Sequence, residues 1–439
     1  MGLLKENKNF FKLWLGQLVS ILGDQIHFIA LMVLIQNVFG NIVVTGTVMM
    51  VTALPKIIFS PFAGVFVDRW SLKKTMVVSD LIRMVLVGLI PILFYLIESP
   101  SMSIILILTF LISTVSVFFY PAKSASIPTL VEKDKLLEAN SLSGTTQMMI
   151  SLLGLLGGAV LVSMIGTTMA FILDASTFLI SAIAISFINY PAKQKELSNS
   201  EEAAKSYENQ EKSTYLTELK LGAKYVAKDQ VLRFMLSFFT TIMLIAGALN
   251  VLFFAYIEDV LHQDASTIGY IMGANMIGMI IGMLTIPKVA GKVSKVKLLV
   301  WSTIIFAFTF SSFSWVNQLA LAIPLMVVNG VGNGILNISS STIFQEYIQE
   351  NMRGRVFSVL DSIVNSAAMI SMLPAAWLAQ QYGVENIFRT AAIFILIVFV
   401  LSVRKAGVIS VLLEEHNQVE RLSKEENELQ VANAGVNSI

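Results

Sequence analysis

The chain has 439 residues, of which 55% are hydrophobic and only 13% charged, and its formal net charge is +1. Soluble globular proteins carry about a quarter charged residues, so a chain this apolar must face lipid over much of its exterior. The small net charge gives no attraction to nucleic acid, and the absence of cysteine excludes disulfides and thiolate metal sites. The three histidines, His27, His262 and His416, are far apart in the sequence, so no histidine-based metal centre and no cofactor are expected.

Apolar segments long enough to cross a bilayer recur along the whole chain. A hydrocarbon core about 30 Å thick needs roughly 20 residues of helix. The sequence predicts twelve such spans: Phe11–Gln36, Val43–Phe66, Met76–Ile97, Ser103–Tyr120, Ser141–Ser163, Thr168–Ile188, Val231–Ile257, Ser266–Pro287, Lys297–Trp315, Ala320–Ser340, Val356–Ala379 and Asn386–Val403. This pattern indicates an all-α membrane protein.

The twelve spans fall into two groups of six, which sets the predicted domain organisation. The predicted parts are a first helical bundle at residues 1–190, a polar linker at 191–229, a second bundle at 230–405 and a charged tail at 406–439. Near the end of the linker, apolar residues recur at helical spacing and predict a surface helix leading into the seventh span. These residues are Leu216, Leu219, Ala223 and Val226.

Basic residues are concentrated in alternate loops, which predicts the orientation of the chain. Cationic loops resist translocation, so the loops richest in lysine and arginine stay in the cytoplasm. Besides the linker, these loops carry Arg69, Lys73, Lys74, Lys123, Lys133, Lys135, Lys288, Lys292, Lys295, Arg353 and Arg355. The opposite loops carry mainly acidic residues, with Arg389 as the exception. Both termini and the linker are therefore expected on the cytoplasmic side of a bacterial cytoplasmic membrane.

Two loops and one helix end carry motifs that resemble a known family. Between the second and third spans, Gly64-Val-Phe-Val-Asp68-Arg69-Trp-Ser-Leu-Lys73-Lys74 resembles the G-x-x-x-D-R-x-G-R-K/R loop of the major facilitator superfamily. After the fourth span, Phe119-Tyr-Pro121-Ala-Lys-Ser-Ala-Ser-Ile-Pro128 is similar to the signature of the drug:H+ antiporter-3 branch, which contains macrolide efflux proteins and the enterobactin exporter. Gln345-Glu-Tyr-Ile with Arg353-Gly354-Arg355 is similar to the equivalent element of that branch in the second half.

The resemblance covers the chain from Phe11 to about Arg404 and implies two pseudo-symmetric six-helix bundles with a substrate site between them near the membrane midplane. It also implies alternating access and proton-coupled efflux of small hydrophobic or amphipathic molecules, such as macrolide-like drugs. Transport of a siderophore or a lysophospholipid by the same fold is the alternative. The fifth span departs from the antiporter pattern, because Leu153-Gly154-Leu-Leu-Gly157-Gly158 lacks the usual proline.

The same resemblance implies a gate on the cytoplasmic side. Asp68 would face the amino end of the eleventh span, where free backbone N–H groups favour an anion, and Arg69 and Arg355 would complete the charge cluster. Asp80 and Arg83, three residues apart, are expected to form a local pair or a gate element. The predicted gate residues are Gly64, Asp68, Arg69, Asp80, Arg83, Arg353, Arg355 and Asp361. The simpler alternative is that the basic residues only fix the orientation.

Ionisable residues within the spans predict the path of protons and substrate, because a charge in hydrocarbon normally faces a cavity or a partner. In the first span Asp24 and His27 lie on one polar face, and in the second span Lys56 is central. Since the family places these spans side by side, an Asp24–Lys56 ion pair is expected, either as a structural pair or as part of the coupling path. Asp24 is the natural proton carrier. Asp174 in the sixth span is equally suited to a packing hydrogen bond.

Asparagines recur every four residues in the tenth span, at Asn329, Asn333 and Asn337. Amides facing lipid would lose hydrogen bonds, so this stripe is expected to face the central cavity or another helix. Some of the 21 methionines and 28 phenylalanines are suited to line a promiscuous pocket, although most are expected to fill the core or face lipid. The eighth span carries glycines that predict close helix packing. They are Gly269, Gly273, Gly278 and Gly282.

Motifs of other function classes are absent from the sequence. No G-x-x-x-x-G-K-S/T phosphate-binding loop is present, which argues against ATP-driven transport by this chain alone, and no H-E-x-x-H metalloprotease motif is present. A membrane enzyme or receptor is therefore only the remote alternative to a secondary transporter. The expected partners are a small hydrophobic or amphipathic substrate, protons and the lipid bilayer, with the chain acting as a monomer.

Because the chain has no cysteine, its orientation can be tested with single introduced cysteines. We expect Ser206→Cys in the linker to react with a membrane-impermeant maleimide only from the cytoplasmic side, and Glu98→Cys to be unreactive from that side. Labelling of the two positions in the reverse sense would overturn the predicted orientation.

Overall fold

The structure, a computed structural model, describes residues 2–97, 101–132, 135–190, 220–289, 293–349 and 352–436. Within these ranges the chain is helical almost throughout and contains no strand. Eleven of the described helices are long and apolar enough to cross a membrane. The prediction of an all-α membrane protein is confirmed.

The spanning helices are labelled α1 to α12 in chain order, and a short helix, Gly2–Glu6, precedes them. In the first half they are α1 Lys8–Phe39, α2 Ile42–Arg69, α3 Leu72–Leu96 and α4 Met102–Leu130, followed by one long helix, Leu136–Ser186, that contains α5 and α6. In the second half they are α7 Gln230–Ala255, α8 Ile268–Val289, α9 Lys295–Phe313, α10 Leu319–Tyr347, α11 Arg353–Tyr382 and α12 Val384–Val436. A π-helical turn, Tyr256–Val260, follows α7, and a 3-10 turn, Ala265–Thr267, precedes α8.

The long helix Leu136–Ser186 is broken at Gly166, which divides it into two spans. At a rise of 1.5 Å per residue, its 51 residues would extend for about 77 Å, more than twice the thickness of a bilayer core. Gly166 has φ 76° and ψ 168°, a backbone conformation that essentially only glycine adopts. Residues 136–165 are therefore α5 and residues 167–186 are α6, which gives the twelve predicted spans.

The fourth helix runs past its predicted end. The sequence predicts an end at Tyr120, but α4 continues to Leu130 with Pro121 and Pro128 inside it. A proline removes one backbone donor and strains the preceding turn, yet the helix continues where packing holds the segment. That condition is met here, because Phe119, Ala122, Ser126 and Ile127 are all buried.

The tail and the end of the linker are also helical. Helix α12 passes Val403, the predicted end of the twelfth span, and continues to Val436. Residues 220–228 form a helix, as the spacing predicts. Val226 is buried in it but Ala223 is exposed, and Leu216 and Leu219 lie outside the described residues.

The helices form two bundles of six, α1–α6 and α7–α12. In the first bundle α1 packs mainly against α5 and α6, and in the second α8 packs against α10 and α7 against α11. The broadest contacts between the bundles join α2 with α11 and α5 with α8, which are equivalent positions in the two halves. The predicted fold class, two pseudo-symmetric six-helix bundles, is confirmed.

Small residues form close contacts between the bundles. We call the face that holds the start of α1 and the end of α6 the linker face, and these contacts lie toward the opposite face. A Cβ placed on Gly269 of α8 would overlap Ala159 of α5 and come 2.6 Å from the carbonyl oxygen of Leu155. A Cβ placed on Gly46 of α2 would come 2.9 Å from the Cβ of Ala376 on α11. We refer to these contacts as the small-residue seam.

Glycines also set the crossing of α8 and α10 inside the second bundle. A Cβ placed on Gly282 would overlap the carbonyl oxygen of Val331 and lie 3.2 Å from the Cα of Gly334. Gly278 faces the backbone of α10 in the same way, one turn earlier. The glycines of α8 therefore serve close packing, as the sequence predicts.

We expect Gly282→Ala to destabilise the protein by about 1–3 kcal/mol, because the added methyl group must push two helix backbones apart. Gly88→Ala in α3 is the matched control, since a Cβ at that position meets nothing within 4 Å. Alanine is the better helix former, so the control should unfold at the same temperature or higher. Thermal unfolding of the purified proteins in one detergent tests both, and equal midpoints for the two variants would contradict the packing.

Candidate functional site

A cluster of charged side chains lies inside the first bundle, where α1, α3 and α6 meet. On α3, Nη2 of Arg83 donates to Oδ1 of Asp80, one helical turn earlier. Arg83 is 1% exposed and Asp80 is 0% exposed. The three-residue spacing places both side chains on one side of the helix, so the structure brings together the pair that the sequence predicts.

Arg83 has further neighbours on three other helices. Its guanidinium lies 4.6 Å from the ring centre of Phe119 on α4 and 4.2 Å from that of Phe178 on α6. The faces of aromatic rings attract a cation, and the planar guanidinium stacks on them well. On α1, Oδ1 of Asp24 lies 3.9 Å from Nη1 of Arg83. The permanent cation is therefore held by two carboxylates and two rings.

His27 and Asp174 form the second part of the cluster. Nδ1 of His27 on α1 lies 3.0 Å from Oδ2 of Asp174 on α6. Neither of these two buried atoms has a hydrogen-bond partner elsewhere among the described residues, so the imidazole and the carboxylate face each other alone. The helices can approach this closely because α1 has Gly23 at the contact, where a Cβ would come 2.5 Å from Oδ1 of Asp174. The imidazole also packs edge-on against Phe171, with ring centres 5.3 Å apart.

The predicted Asp24–Lys56 ion pair is not formed. The basic neighbour of Asp24 is Arg83, and no carboxylate among the described residues lies within ion-pair distance of Lys56. The reason is helix packing, since α1 lies against α5 and α6 and hardly touches α2. Lys56 is exposed on α2 together with Thr52 and Ser60. An exposed lysine in the middle of a span must face an aqueous space rather than lipid.

A cavity of about 270 Å³ lies in the second bundle and reaches α5 of the first. Its walls are mostly apolar and include no charged side chain among the described residues. Asn329 and Asn333 of α10 line the cavity, whereas Asn337, one turn further on, is exposed and does not. Four methionines contribute to the lining: Met243, Met272, Met276 and Met326.

The asparagines of the cavity differ in whether their side-chain amides have hydrogen-bond partners. Asn275 donates from Nδ2 to Oδ1 of Asn329 over 3.0 Å, and Asn329 donates in turn to the hydroxyl of Thr309 over 2.9 Å. The side-chain amides of Asn250 and Asn333 have no hydrogen-bond partner within the described ranges, so they are the polar groups free to bind a ligand. Sequence reasoning missed Asn250 and Asn275, because a single amide in an apolar span produces no periodic pattern.

The gate predicted at the linker face is only partly described. Five of its residues lie outside the described side chains: Gly64, Asp68, Arg69, Arg353 and Arg355. Their role stays a prediction. Asp361 is described, and its Oδ1 accepts a hydrogen bond of 2.7 Å from Asn365 on the same helix. Asp80 and Arg83, grouped with the gate on sequence grounds, find their described partners inside the first bundle and belong to the buried cluster.

Outside the spans, Asp229 fastens the start of α7 to the end of α10. Its Oδ1 accepts from the backbone N–H of Leu232 over 2.8 Å, and its Oδ2 accepts from the hydroxyl of Tyr347 over 2.7 Å. Burial, together with this hydrogen bond to the carboxylate, raises the pKa of Tyr347 above its usual range. The phenol therefore stays protonated and keeps donating at physiological pH. This contact is a structural tie within the second bundle and adds nothing to the charged cluster or the cavity.

Sequence comparisons place the chain among transporters. A family model described as transmembrane secretion effector matches residues 5–434. Macrolide efflux protein A of Streptococcus pyogenes is 22% identical over 400 residues, which cover 89% of this chain and 94% of that protein. An uncharacterized MFS-type transporter of Bacillus subtilis, YvqJ, is 24% identical over 388 residues, which cover 88% of this chain and 89% of that protein.

Solved structures share the fold at low sequence identity. The nucleoside transporter NupG has a TM-score of 0.72 and 13% identity, and the match covers 90% of this chain and 98% of that one. A bacterial homologue of the iron transporter ferroportin, in an inward-facing state, has a TM-score of 0.69 and 14% identity with the same coverage. With the family match over nearly its whole length and this fold, the chain belongs to the transmembrane secretion effector family of the major facilitator superfamily.

Proposed function

We propose that this transporter exports small hydrophobic or amphipathic molecules from the cytoplasm of a bacterium, in exchange for protons, by alternating access. The observation that carries the proposal is the cavity, whose walls combine methionine and phenylalanine side chains with the two free amides of Asn250 and Asn333. The direction of transport is taken from the similarity to macrolide efflux protein A.

The lining of the cavity suits ligands that differ in shape. Methionine is unbranched and polarizable, so Met243, Met272, Met276 and Met326 can repack around different apolar surfaces. Ligand pockets usually enclose roughly 300–1,000 Å³. A cavity of about 270 Å³ therefore fits a compact molecule, or one end of a larger molecule, and a whole macrolide requires the bundles to part further.

The uncharged lining also favours this substrate class over the alternatives within the fold. A lysophospholipid carries a phosphate, and a ferric siderophore is commonly anionic. Burial of such a charge is expensive without a cation beside it. No lysine or arginine stands among the described residues that line the cavity, so an anionic headgroup has no counter-charge there.

The charged cluster supports coupling to protons. Asp24 is the accessible member, with 33% of its side chain exposed, and it lies beside the fully buried Arg83. Protonation of Asp24 removes one of the two negative charges next to the guanidinium. In a low-dielectric interior such a change alters the attraction between α1 and α3 by several kcal/mol at most, which is enough to bias a two-state equilibrium.

The small-residue seam supports alternating access. At Gly46, Gly269, Ala159 and Ala376 the two bundles meet through small side chains. Surfaces of this kind can separate and meet again while each bundle moves as a rigid body. With the linker face in the cytoplasm, the seam closes the outer side.

Expression of the chain in an efflux-deficient bacterium should raise resistance to amphipathic compounds, with erythromycin, chloramphenicol and ethidium as the probes. We expect Asn333→Ala to weaken transport of the best substrate roughly three- to ten-fold through KM, because one hydrogen bond to the ligand is lost. Asn337→Ala is the matched control on the same helix, outside the cavity lining.

Two outcomes would contradict the substrate site. One is a normally inserted protein that changes resistance to none of the three probes and binds none of them when purified. The other is an equal loss of transport in the Asn333 and Asn337 variants, which would indicate a general effect on α10.

Coupling is tested with Asp24→Asn in inverted vesicles under an imposed pH gradient. The amide cannot carry a proton, so we expect gradient-driven transport to disappear while substrate binding and downhill exchange persist. Asp264→Asn makes the same chemical change at an exposed turn and should transport normally. Full gradient-driven transport by Asp24→Asn would falsify its role as proton carrier.

A further inference from the structure

The buried cluster contains more acid than base. The cluster has three carboxylates, on Asp24, Asp80 and Asp174, and one permanent cation, Arg83, which contacts the first two. With His27 neutral and all three acids ionised, the cluster has a net charge of −2, from three negative charges and one positive. Each uncompensated charge near the centre of a membrane costs at least about 2.5–3.5 kcal/mol. Two bound protons neutralise both excess negative charges, so the neutral cluster is the favoured state.

No other described group supplies the missing positive charge. Lys56 of α2 is exposed and Lys123 of α4 is buried, yet no ion pair joins either lysine to the three carboxylates. Tyr120 of α4 is uncharged and half exposed. The charged residue of α5 is Glu138, at the linker end of the helix, and it would only add negative charge. The balance must therefore come from protons.

The geometry decides where the two protons lie. Asp80 is engaged directly by the guanidinium of Arg83 and stays ionised. Asp24 is further from that cation, at 3.9 Å, and takes up one proton. Among the described residues, the basic group beside Asp174 is the imidazole of His27, 3.0 Å away. The second proton therefore belongs to this pair, either as an imidazolium beside a carboxylate or as a neutral imidazole beside a carboxylic acid.

We propose that His27 and Asp174 form a second proton-binding site, so that the cluster holds two protons in the state described. The place of this site in transport rests on the proton coupling proposed above. His27 follows Asp24 by three residues on α1, about 4.5 Å nearer the opposite face. A proton that enters from the opposite face meets the His27–Asp174 pair first and Asp24 second. The two proton-binding sites thus lie one after the other along the membrane normal.

The test counts protons in the full-length protein without any substrate. The protein is labelled with 15N-histidine, placed in lipid nanodiscs at neutral pH and examined by NMR, with His262→Gln and His416→Gln used to assign His27. Infrared spectra of the same samples report protonated carboxyl groups. We expect one protonated carboxyl band that is lost in Asp24→Asn. We also expect either a doubly protonated His27 or a second carboxyl band that is lost in Asp174→Asn.

The Asp174→Asn variant adds a readout that a packing role would not change. Removal of this carboxylate leaves one negative charge to balance, so a doubly protonated His27 should lose one ring proton at the same pH. Asp264→Asn is the matched control and should leave the His27 signals where they are. The wild-type spectra alone decide the state of His27, even if a cluster variant fails to fold.

A neutral His27 together with an infrared spectrum that Asp174→Asn leaves unchanged would overturn the second site. That result is compatible with transport driven by a pH gradient, which would then use Asp24 alone. The reverse combination, two protons in the cluster but efflux that ignores the pH gradient, would contradict the proposed coupling and leave the proton site in place.

Discussion

Arg83 places a permanent positive charge in the apolar interior of the first bundle, and four helices are arranged around it. Asp24 of α1, Asp80 of α3, Phe119 of α4 and Phe178 of α6 each contribute one contact. A buried ion pair that loses one partner destabilises a protein by about 3–5 kcal/mol, because the remaining charge has no compensation. The guanidinium therefore fixes which helices are neighbours and at what depth, and the His27–Asp174 contact follows from the same arrangement.

The two bundles share a fold but differ in chemistry. The first contains the charged cluster, and the second contains the apolar cavity with its asparagines. Under the proposed function, protons act in one half and the substrate binds mainly in the other. The exchange of protons for substrate then depends on the contacts between the bundles, where α5 meets α8 and α2 meets α11. At the small-residue seam these contacts are made by glycine and alanine, which let the helix backbones of the two halves come close together.

Sequence reasoning predicted those features of the fold that a periodic or compositional pattern encodes. The twelve spans follow from runs of apolar residues, and the glycines of α8 follow from their spacing. The extension of α4 beyond Tyr120 was missed, because the proline rule describes an isolated helix and the packing around Phe119 overrides it. Asn329 and Asn333 line the cavity and Asn337 lies one turn beyond it, while the role of the three asparagines in transport stays a prediction.

The charged cluster could be predicted only in part, for a related reason. The Asp80–Arg83 pair is local and visible in the spacing, but the partner of Asp24 depends on which helix lies beside α1. Lys56 was the expected partner because family resemblance sets α1 and α2 side by side, whereas the structure brings α3 within reach. Asp174 is a single acid in an apolar span, and nothing in its surroundings along the chain points to His27, 147 positions earlier.

Gly166 joins two helices that carry residues of two different contacts. The helix that it divides bears Ala159 of the seam on one side and Asp174 on the other, about 10 Å and 12 Å away along the two arms. No loop separates the arms, so there is no slack to absorb a displacement. The two helices are joined directly at Gly166, with a single non-helical residue between them. Within the first bundle, the seam residue Ala159 and the carboxylate beside His27 therefore keep a fixed separation, and under the proposed alternating access they move together.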